Sequence, residues 1–170
     1  MISHAGLCSR KNAEVLIKNG EVKINGKIFR EFMIEADLIK TIKVKERYLS
    51  KEQTRVWIFN KPVGYVSSNK EQFSQKSLFR LIPKNLPRLV TVGRLDIQSQ
   101  GIMILTNNPT LSSHLENPKN QVERIYIVKV FGNIPDHIEN KKEFLIDGTL
   151  YRGIKLNILT HKTNNNKIEI

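Results

Sequence analysis

The group in this chain best placed to do chemistry is a single carboxylate in a short polar loop. Asp96 lies between two apolar runs, residues 89–92 and 102–105, and this pattern predicts two buried strands joined by a loop. Gly101 allows the chain to turn back at the end of the loop. Catalytic side chains are often carried by loops that buried strands hold in place. An isolated Asp in a loop is more often a cap of its own turn, so the loop alone leaves both roles open.

Three sequence motifs occur in order around this loop. Residues 60–66 read NKPVGYV, residues 93–107 read GRLDIQSQGIMILTN, and residues 124–128 read RIYIV. Together they resemble the pseudouridine synthases that modify ribosomal RNA, specifically those of the RsuA/RluB type, whose motifs are NKPxGxx, GRLD…S/T-x-GL-LLTN and K-x-Y-x-V. Three motifs in the order of the family make a specific signal. The chain departs from the family at residues 108–109, where Asn-Pro replaces Asp-Gly, and at Arg124, where Lys is usual.

The resemblance implies an isomerisation that detaches uracil from its ribose, rotates the base and rejoins it through a ring carbon. It implies no redox change, metal or cofactor, and it assigns Asp96 as the catalytic group. The carboxylate would act on the sugar as a nucleophile or remove a neighbouring proton, and the sequence does not choose between these mechanisms. A glycosidase would need a second carboxylate with a distinct role, and no other acidic residue has a comparable context.

Two further residues are expected to seat the flipped base. Tyr126 matches the aromatic position of the family and would stack on the uracil; the alternative is a core residue, because Tyr126 shares its strand face with Val128 and Val130. Arg94 would fill the space left by the base or contact a phosphate; the alternative is a surface ion pair that contributes little. Lys61 of the first motif is expected to shape the fold rather than take part in the chemistry.

Residues 5–27 resemble a small RNA-binding module first named for a protein of the small ribosomal subunit. Residues 9–19 predict a short helix with Ser9 as its N-cap, and Asn25-Gly26 between two alternating runs predicts a β-hairpin. A charged surface of this kind is often only solvated. The resemblance instead places it on RNA, where positive side chains would contact phosphates. The expected RNA-binding residues are Ser9, Arg10, Lys11, Lys18, Lys23, Asn25 and Lys27.

The charge balance of the 170 residues favours a polyanionic partner. Lys and Arg total 28 against 16 acidic residues, which gives a net charge of +12 and suits RNA or DNA. Cys8 is the single cysteine, and four scattered His offer no zinc-ligand spacing. We therefore expect neither a metal nor a cofactor. No apolar run approaches membrane-spanning length, so we expect a cytoplasmic, monomeric protein whose partner is ribosomal RNA and not a membrane.

The order of the predicted elements indicates an α+β fold. A small helix-plus-hairpin module is expected at residues 1–46, a charged linker at 47–55, and a catalytic domain with a mixed, mainly antiparallel sheet at 56–170. Late strands are expected at residues 150–160 and 167–170. The last of these would leave an unpaired sheet edge at the end of the chain.

The synthase family normally continues into a basic EG-x-NR-x-x-RR segment, which supplies the cation that pairs with the catalytic carboxylate. That segment is not found in residues 1–170, so we expect a chain trimmed at both ends with weak or absent turnover. Arg152 is the candidate substitute for the cation. Two alternatives remain open: a non-catalytic RNA-binding protein derived from the same fold, and a DNA-binding regulator, for which no clear recognition helix is present.

Overall fold

The computed structural model describes residues 1–35, 37, 39–50, 52–69, 71, 74–135, 137–141, 143–160 and 166–170. The chain forms two units, Met1–Gln121 and Val122–Ile170, and each is described by itself. None of the helices in these ranges is long and apolar enough to cross a membrane.

The first unit opens with a helix and a four-stranded antiparallel sheet of order β2-β1-β3-β4. Helix α1 begins after Ser9, whose hydroxyl accepts a hydrogen bond from the Asn12 amide at 3.2 Å. Asn25 and Gly26 have φ angles of 50° and 85°, as a tight hairpin turn requires. The elements are α1 (Arg10–Lys18), β1 (Val22–Ile24), β2 (Lys27–Ile28), β3 (Ile42–Val44) and β4 (Arg47–Tyr48).

Alternation along β1 and β3 creates the core of this module. Val22, Ile24, Ile42 and Val44 point to the helix side and are buried with Ala13 of α1. Because successive strand residues face opposite sides, the lysines between them point to the outer face. Burial of a full Val or Ile side chain stabilises a fold by roughly 1.5–3 kcal/mol, so this cluster is the main reason that so short a sheet forms.

A second layer in the first unit is the antiparallel sheet β5-β9-β8. Trp57 and Phe59 of β5 pack on a core formed by Leu78, Leu89 and Met103 with Leu105. Two 3₁₀ helices, Leu78–Leu81 and Pro118–Asn120, complete the layer. The elements are β5 (Val56–Lys61), β6 (Tyr65–Val66), β7 (Lys76–Ser77, parallel to β6), β8 (Val90–Val92), β9 (Gly101–Thr106) and α2 (Pro109–Glu116).

The second unit contains a three-stranded antiparallel sheet and a hairpin. The strand order is β10-β14-β13, and β11 pairs with β12. Ile134, Leu156 and Ile168 form its core. The elements are β10 (Ile127–Val130), a 3₁₀ helix (Ile138–Asn140), β11 (Glu143–Ile146), β12 (Thr149–Arg152), β13 (Asn157–Thr160) and β14 (Asn166–Glu169).

The predicted α+β fold is confirmed, with two corrections. The last strand does not leave an unpaired edge, because β14 lies in the centre of its sheet between β10 and β13. Arg47–Tyr48, expected to open the linker, instead form β4, since the turn at Lys45 and Glu46 returns the chain onto β3. The domain bounds otherwise stay a prediction.

Candidate active site

The loop between β8 and β9 presents Arg94 and Asp96 on its outer side. Both residues are exposed, whereas Leu95 between them points inward and packs on the core cluster of Leu89 and Met103. This alternation follows from the loop sequence, in which one apolar residue separates two charged ones. Burial of Leu95 therefore fixes the direction in which the carboxylate points.

A buried lysine forms hydrogen bonds with the backbone of this loop. Lys61, the last residue of β5, is 0 % exposed. Its ammonium donates to the carbonyl oxygens of Asp96 at 2.9 Å, Ser99 at 2.8 Å and Pro62 at 3.2 Å. An ammonium has three donors and no acceptor, so three carbonyls satisfy it. The contacts join the end of β5 to both ends of the turn that follows Asp96.

The charge of Lys61 also bears on the site. Burial lowers the pKa of the Lys61 ammonium, because a charged group is less stable away from water, and the negative charge of Asp96 opposes this by raising it. The lysine is thus near enough to Asp96 for an electrostatic interaction with the carboxylate.

Gly64 of the first motif and Ser67, directly after the motif, hold the other half of the loop. Ser67 Oγ donates to the Leu95 carbonyl at 2.7 Å and accepts from the Leu95 amide at 3.1 Å. The Gly64 amide donates to the carbonyl of Ile97 at 2.7 Å. Gly64 has a φ of 84°, a conformation that L side chains rarely adopt. Residues 61–67 therefore fix the backbone on both sides of Asp96.

These contacts leave an exposed carboxylate on a fixed backbone. Asp96 takes part in none of the ion pairs found among the described residues. A carboxylate so placed can attack an electrophilic carbon or accept a proton from a molecule that approaches from solvent. Within the same described ranges, no group of three or more His, Cys, Asp and Glu side chains is arranged to hold a metal ion.

Tyr126 lies in the second unit, next to β10. Its backbone amide and carbonyl bond to Ile170 at 2.8 and 2.9 Å, while the residue is 44 % exposed. The alternative of a core tyrosine is therefore wrong, and the ring is open to solvent. Arg152, the candidate partner for Asp96, instead donates to Glu143 at 2.7 Å across the β11–β12 hairpin.

The residues predicted to bind RNA divide into two groups. Three have partners inside the module: Ser9 caps α1, Lys23 pairs with Glu46 at 2.5 Å, and the Asn25 side chain accepts from the amides of residues 40 and 41. Their first role is thus in the fold. The others are exposed and can meet a polyanion at the surface: Arg10, Lys11, Lys18 and Lys27. Of these, Lys18 has its Nζ 5.7 Å from the ring centroid of Phe32.

Comparisons with known proteins show the family to which the chain belongs. A family model described as RNA pseudouridylate synthase matches residues 55–169, and one described as the S4 domain matches residues 1–31. An uncharacterized RNA pseudouridine synthase of Rickettsia typhi is 36% identical over 172 residues, which cover 100% of this chain and 71% of that protein. The chain belongs to the RNA pseudouridylate synthase family.

Two further proteins place the synthase among its relatives. The ribosomal large subunit pseudouridine synthase B of Bacillus subtilis is 33% identical over 157 residues, covering 92% of this chain and 61% of that one. A crystal structure of a pseudouridylate synthase superposes with a TM-score of 0.60 at 23% identity, over 99% of this chain and 74% of the other. This likeness shows a shared fold.

The end of the second synthase motif has a structural role. Thr106 Oγ1 donates to the carbonyl of Arg55 at 2.8 Å, and the Asn107 side chain accepts from the Arg55 amide at 2.8 Å and donates to the Gln53 carbonyl at 2.9 Å. The two side chains therefore tie the start of β5 to the end of β9. Asn108 then caps α2 by accepting from the amides of residues 110 and 111.

The departure from the family at residues 108–109 has a simple explanation. Asn is a favoured N-cap and Pro is favoured in the first turn of a helix, and both positions begin α2 here. The Asn-Pro pair of this synthase therefore suits the start of a helix.

The sequence did not specify the partners of two lysines. Lys61 was expected to shape the fold, but its burial and its bonds to the carbonyls of Asp96 and Ser99 depend on a loop that is distant in the sequence. Lys43, outside this site, has its Nζ 4.4 Å from the ring centroid of Tyr48, which is 68 % exposed. This aromatic neighbour depends on the pairing of β3 with β4.

Proposed function

We propose that this synthase converts a uridine of ribosomal RNA into pseudouridine, with Asp96 as the catalytic carboxylate. The observation that carries the proposal is the exposed position of Asp96 on a loop whose backbone accepts hydrogen bonds from Lys61 and Ser67. Relatives named for the large ribosomal subunit support ribosomal RNA as the substrate.

The reaction exchanges one bond to the sugar for another. The bond between ribose and the uracil nitrogen breaks, and a bond from the same sugar carbon to a ring carbon forms. The hydrogen of that ring carbon leaves as a proton, and the freed ring nitrogen gains a proton from solvent. The Asp96 carboxylate either attacks the sugar carbon or removes a proton beside it. Either role requires the carboxylate to be held in one place, which the contacts of Lys61 and Gly64 favour.

The remaining predicted residues have supporting roles. The base must leave its stack before the carboxylate can reach the sugar. Tyr126 offers an exposed ring on which a base can stack, and Arg94 offers a cation on the same loop as Asp96. Arg10, Lys11, Lys18 and Lys27 supply phosphate contacts, which give affinity and orientation without base choice.

Release of tritium from uridine labelled at the reacting ring carbon tests the proposal. Unmodified transcripts of large- and small-subunit ribosomal RNA are incubated with the wild type and with Asp96→Asn. Asp147→Asn is the matched control, because it makes the same change at an exposed turn whose positive φ Asn tolerates. We expect slow release by the wild type and the control, in line with the weak turnover expected of this chain, and none by Asp96→Asn.

Three outcomes separate the alternatives. Release that depends on Asp96 supports the proposal, and the transcript that releases tritium identifies the ribosomal subunit. Equal release by Asp96→Asn overturns the catalytic assignment. Tight RNA binding without release from either transcript favours the alternative of a non-catalytic RNA-binding protein.

A further inference from the structure

A small cleft lies within the first unit, where the S4 domain meets β8 and α2. Its volume is about 250 Å³. Residues from three separate parts of the chain line it, and no acidic residue is among them. Its polar lining consists of Arg10, Arg88, Ser3, Ser9, Ser112 and Ser113.

The two arginines give this cleft a positive charge, and the Glu116 carboxylate lies next to the cleft, where it accepts a hydrogen bond from Ser112 at 2.7 Å. Neither Arg10 nor Arg88 takes part in an ion pair among the described residues. Burial raises the pKa of the Cys8 thiol, and the charge of Arg88 opposes this by lowering it. The guanidinium of Arg88 therefore interacts electrostatically with Cys8 of the S4 domain, although Arg88 belongs to the segment before β8.

The cleft is linked to the catalytic loop by a single strand. Arg88 precedes the buried Leu89 and β8, and the loop with Asp96 begins directly after β8 at Gly93. Four residues separate Arg88 from Gly93, so the two positions lie at most about 17 Å apart in extended chain. A group bound in the cleft is thus held at a defined distance from the catalytic loop.

We propose that this cleft binds one backbone phosphate of the substrate RNA between Arg10 of the S4 domain and Arg88 of the synthase domain. The inference rests on the proposed function and adds a specific anchor to it. Guanidinium groups bind phosphate oxygens through charge-assisted, often bidentate hydrogen bonds. A phosphate shared by the two domains sets the register of the RNA relative to Asp96, because backbone contacts position a nucleic acid without reading its sequence.

The test measures RNA affinity as a function of salt. Binding of a large-subunit ribosomal RNA transcript is compared for the wild type, Arg10→Gln, Arg88→Gln and the double variant. Lys84→Gln is the matched control, because it removes the same charge four residues before Arg88 from an exposed position that does not line the cleft. Thermal unfolding of each variant shows whether the fold is retained.

A shared phosphate makes a specific prediction for the double variant. Each single variant is expected to weaken binding on the order of ten-fold and to reduce the slope of log affinity against log salt by about one. The double variant reduces the slope by no more than either single variant, since one phosphate is lost in each case. Lys84→Gln changes the slope by clearly less.

Other results overturn the proposal. If Arg88→Gln matches Lys84→Gln, Arg88 contributes only general charge. If the double variant lowers the slope by about two, the arginines bind separate phosphates. If inorganic phosphate at constant ionic strength stabilises the wild type but the variants bind RNA normally, the cleft takes a free anion. Absence of RNA binding by the wild type contradicts the proposed function itself.

Discussion

The ammonium nitrogen of Lys61 lies 2.9 Å from the carbonyl oxygen of Asp96, so the residue that ends β5 holds the backbone of the proposed catalytic residue. The same ammonium bonds the carbonyl of Ser99 at 2.8 Å, which closes the turn after Asp96. Two motifs that are separated by 26 residues in the sequence therefore form one structural unit. The first motif supplies the support and the second supplies the carboxylate.

Replacement of Lys61 by Met is expected to lower both stability and turnover. Met keeps much of the apolar stem but leaves the carbonyls of Asp96 and Ser99 without this donor. The free energy of unfolding is expected to fall by on the order of 3 kcal/mol. The free energy of unfolding from denaturant titration measures the first effect. Turnover is expected to fall through kcat more than through KM, because the loop loses its fixed geometry.

Lys84→Met is the control for this change, since Lys84 is exposed and its replacement is expected to alter stability by less than about 0.5 kcal/mol. Retention of wild-type stability by Lys61→Met would show that the three carbonyl contacts contribute nothing net.

Ser67→Ala tests the other side of the loop with a smaller change. The hydroxyl bonds both backbone groups of Leu95, the residue directly before Asp96. Its removal is expected to destabilise the fold by about 1–2 kcal/mol and to reduce kcat with little change in RNA affinity. Parallel measurements of kcat and of RNA binding check this, with the exposed Ser50→Ala as control. A reduced affinity at unchanged kcat would place Ser67 in RNA binding instead.

Local patterns were enough to predict most of the first unit. The Asn25-Gly26 turn, the Ser9 cap and the two apolar runs around Asp96 each depend on residues close together in the sequence, and the structure contains all of these features. The position of Asp96 in a loop between paired strands is confirmed for the same reason. Its catalytic role is a prediction that the geometry does not test.

Features that depend on distant pairing could not be predicted in the same way. Lys61 is buried because a loop thirty-five residues later folds over it, and nothing in its local sequence specifies that partner. The central position of β14 depends on pairing with both β10 and β13. The parallel pair β6–β7 was missed because strands of two residues are too short to show a period.

The module that contains the β2-β1-β3-β4 sheet is expected to lose stability in acid. A hydrogen bond from Lys23, and then the charges of Lys23 and Lys43, lower the pKa of Glu46. A carboxylate whose pKa is lower in the folded state stabilises that state above its unfolded pKa of about 4.3, and the effect is lost as pH falls through the folded value.

The thermal midpoint between pH 3 and pH 6 measures this effect. Glu46→Gln is expected to show a weaker fall of the midpoint below about pH 4.3 than the wild type. Glu14→Gln on the exposed face of α1 is the control and should follow the wild type. Identical curves for Glu46→Gln and the wild type would mean that the Lys23–Glu46 pair does not stabilise the fold.

Substitution of Tyr126 separates a stacking role from a structural one. Base stacking on an aromatic ring is worth about 1–3 kcal/mol, so Tyr126→Leu is expected to reduce kcat/KM for tritium release by roughly 5- to 150-fold. Tyr126→Phe keeps the ring, and its kcat/KM should stay within about three-fold of the wild type, a smaller change than the loss of a stacking contact would cause. The residue is 44 % exposed, and its backbone bonds to Ile170 do not involve the ring, so both variants are expected to fold. A large loss in Tyr126→Phe would assign the function to the hydroxyl, and full activity of Tyr126→Leu would remove Tyr126 from the site.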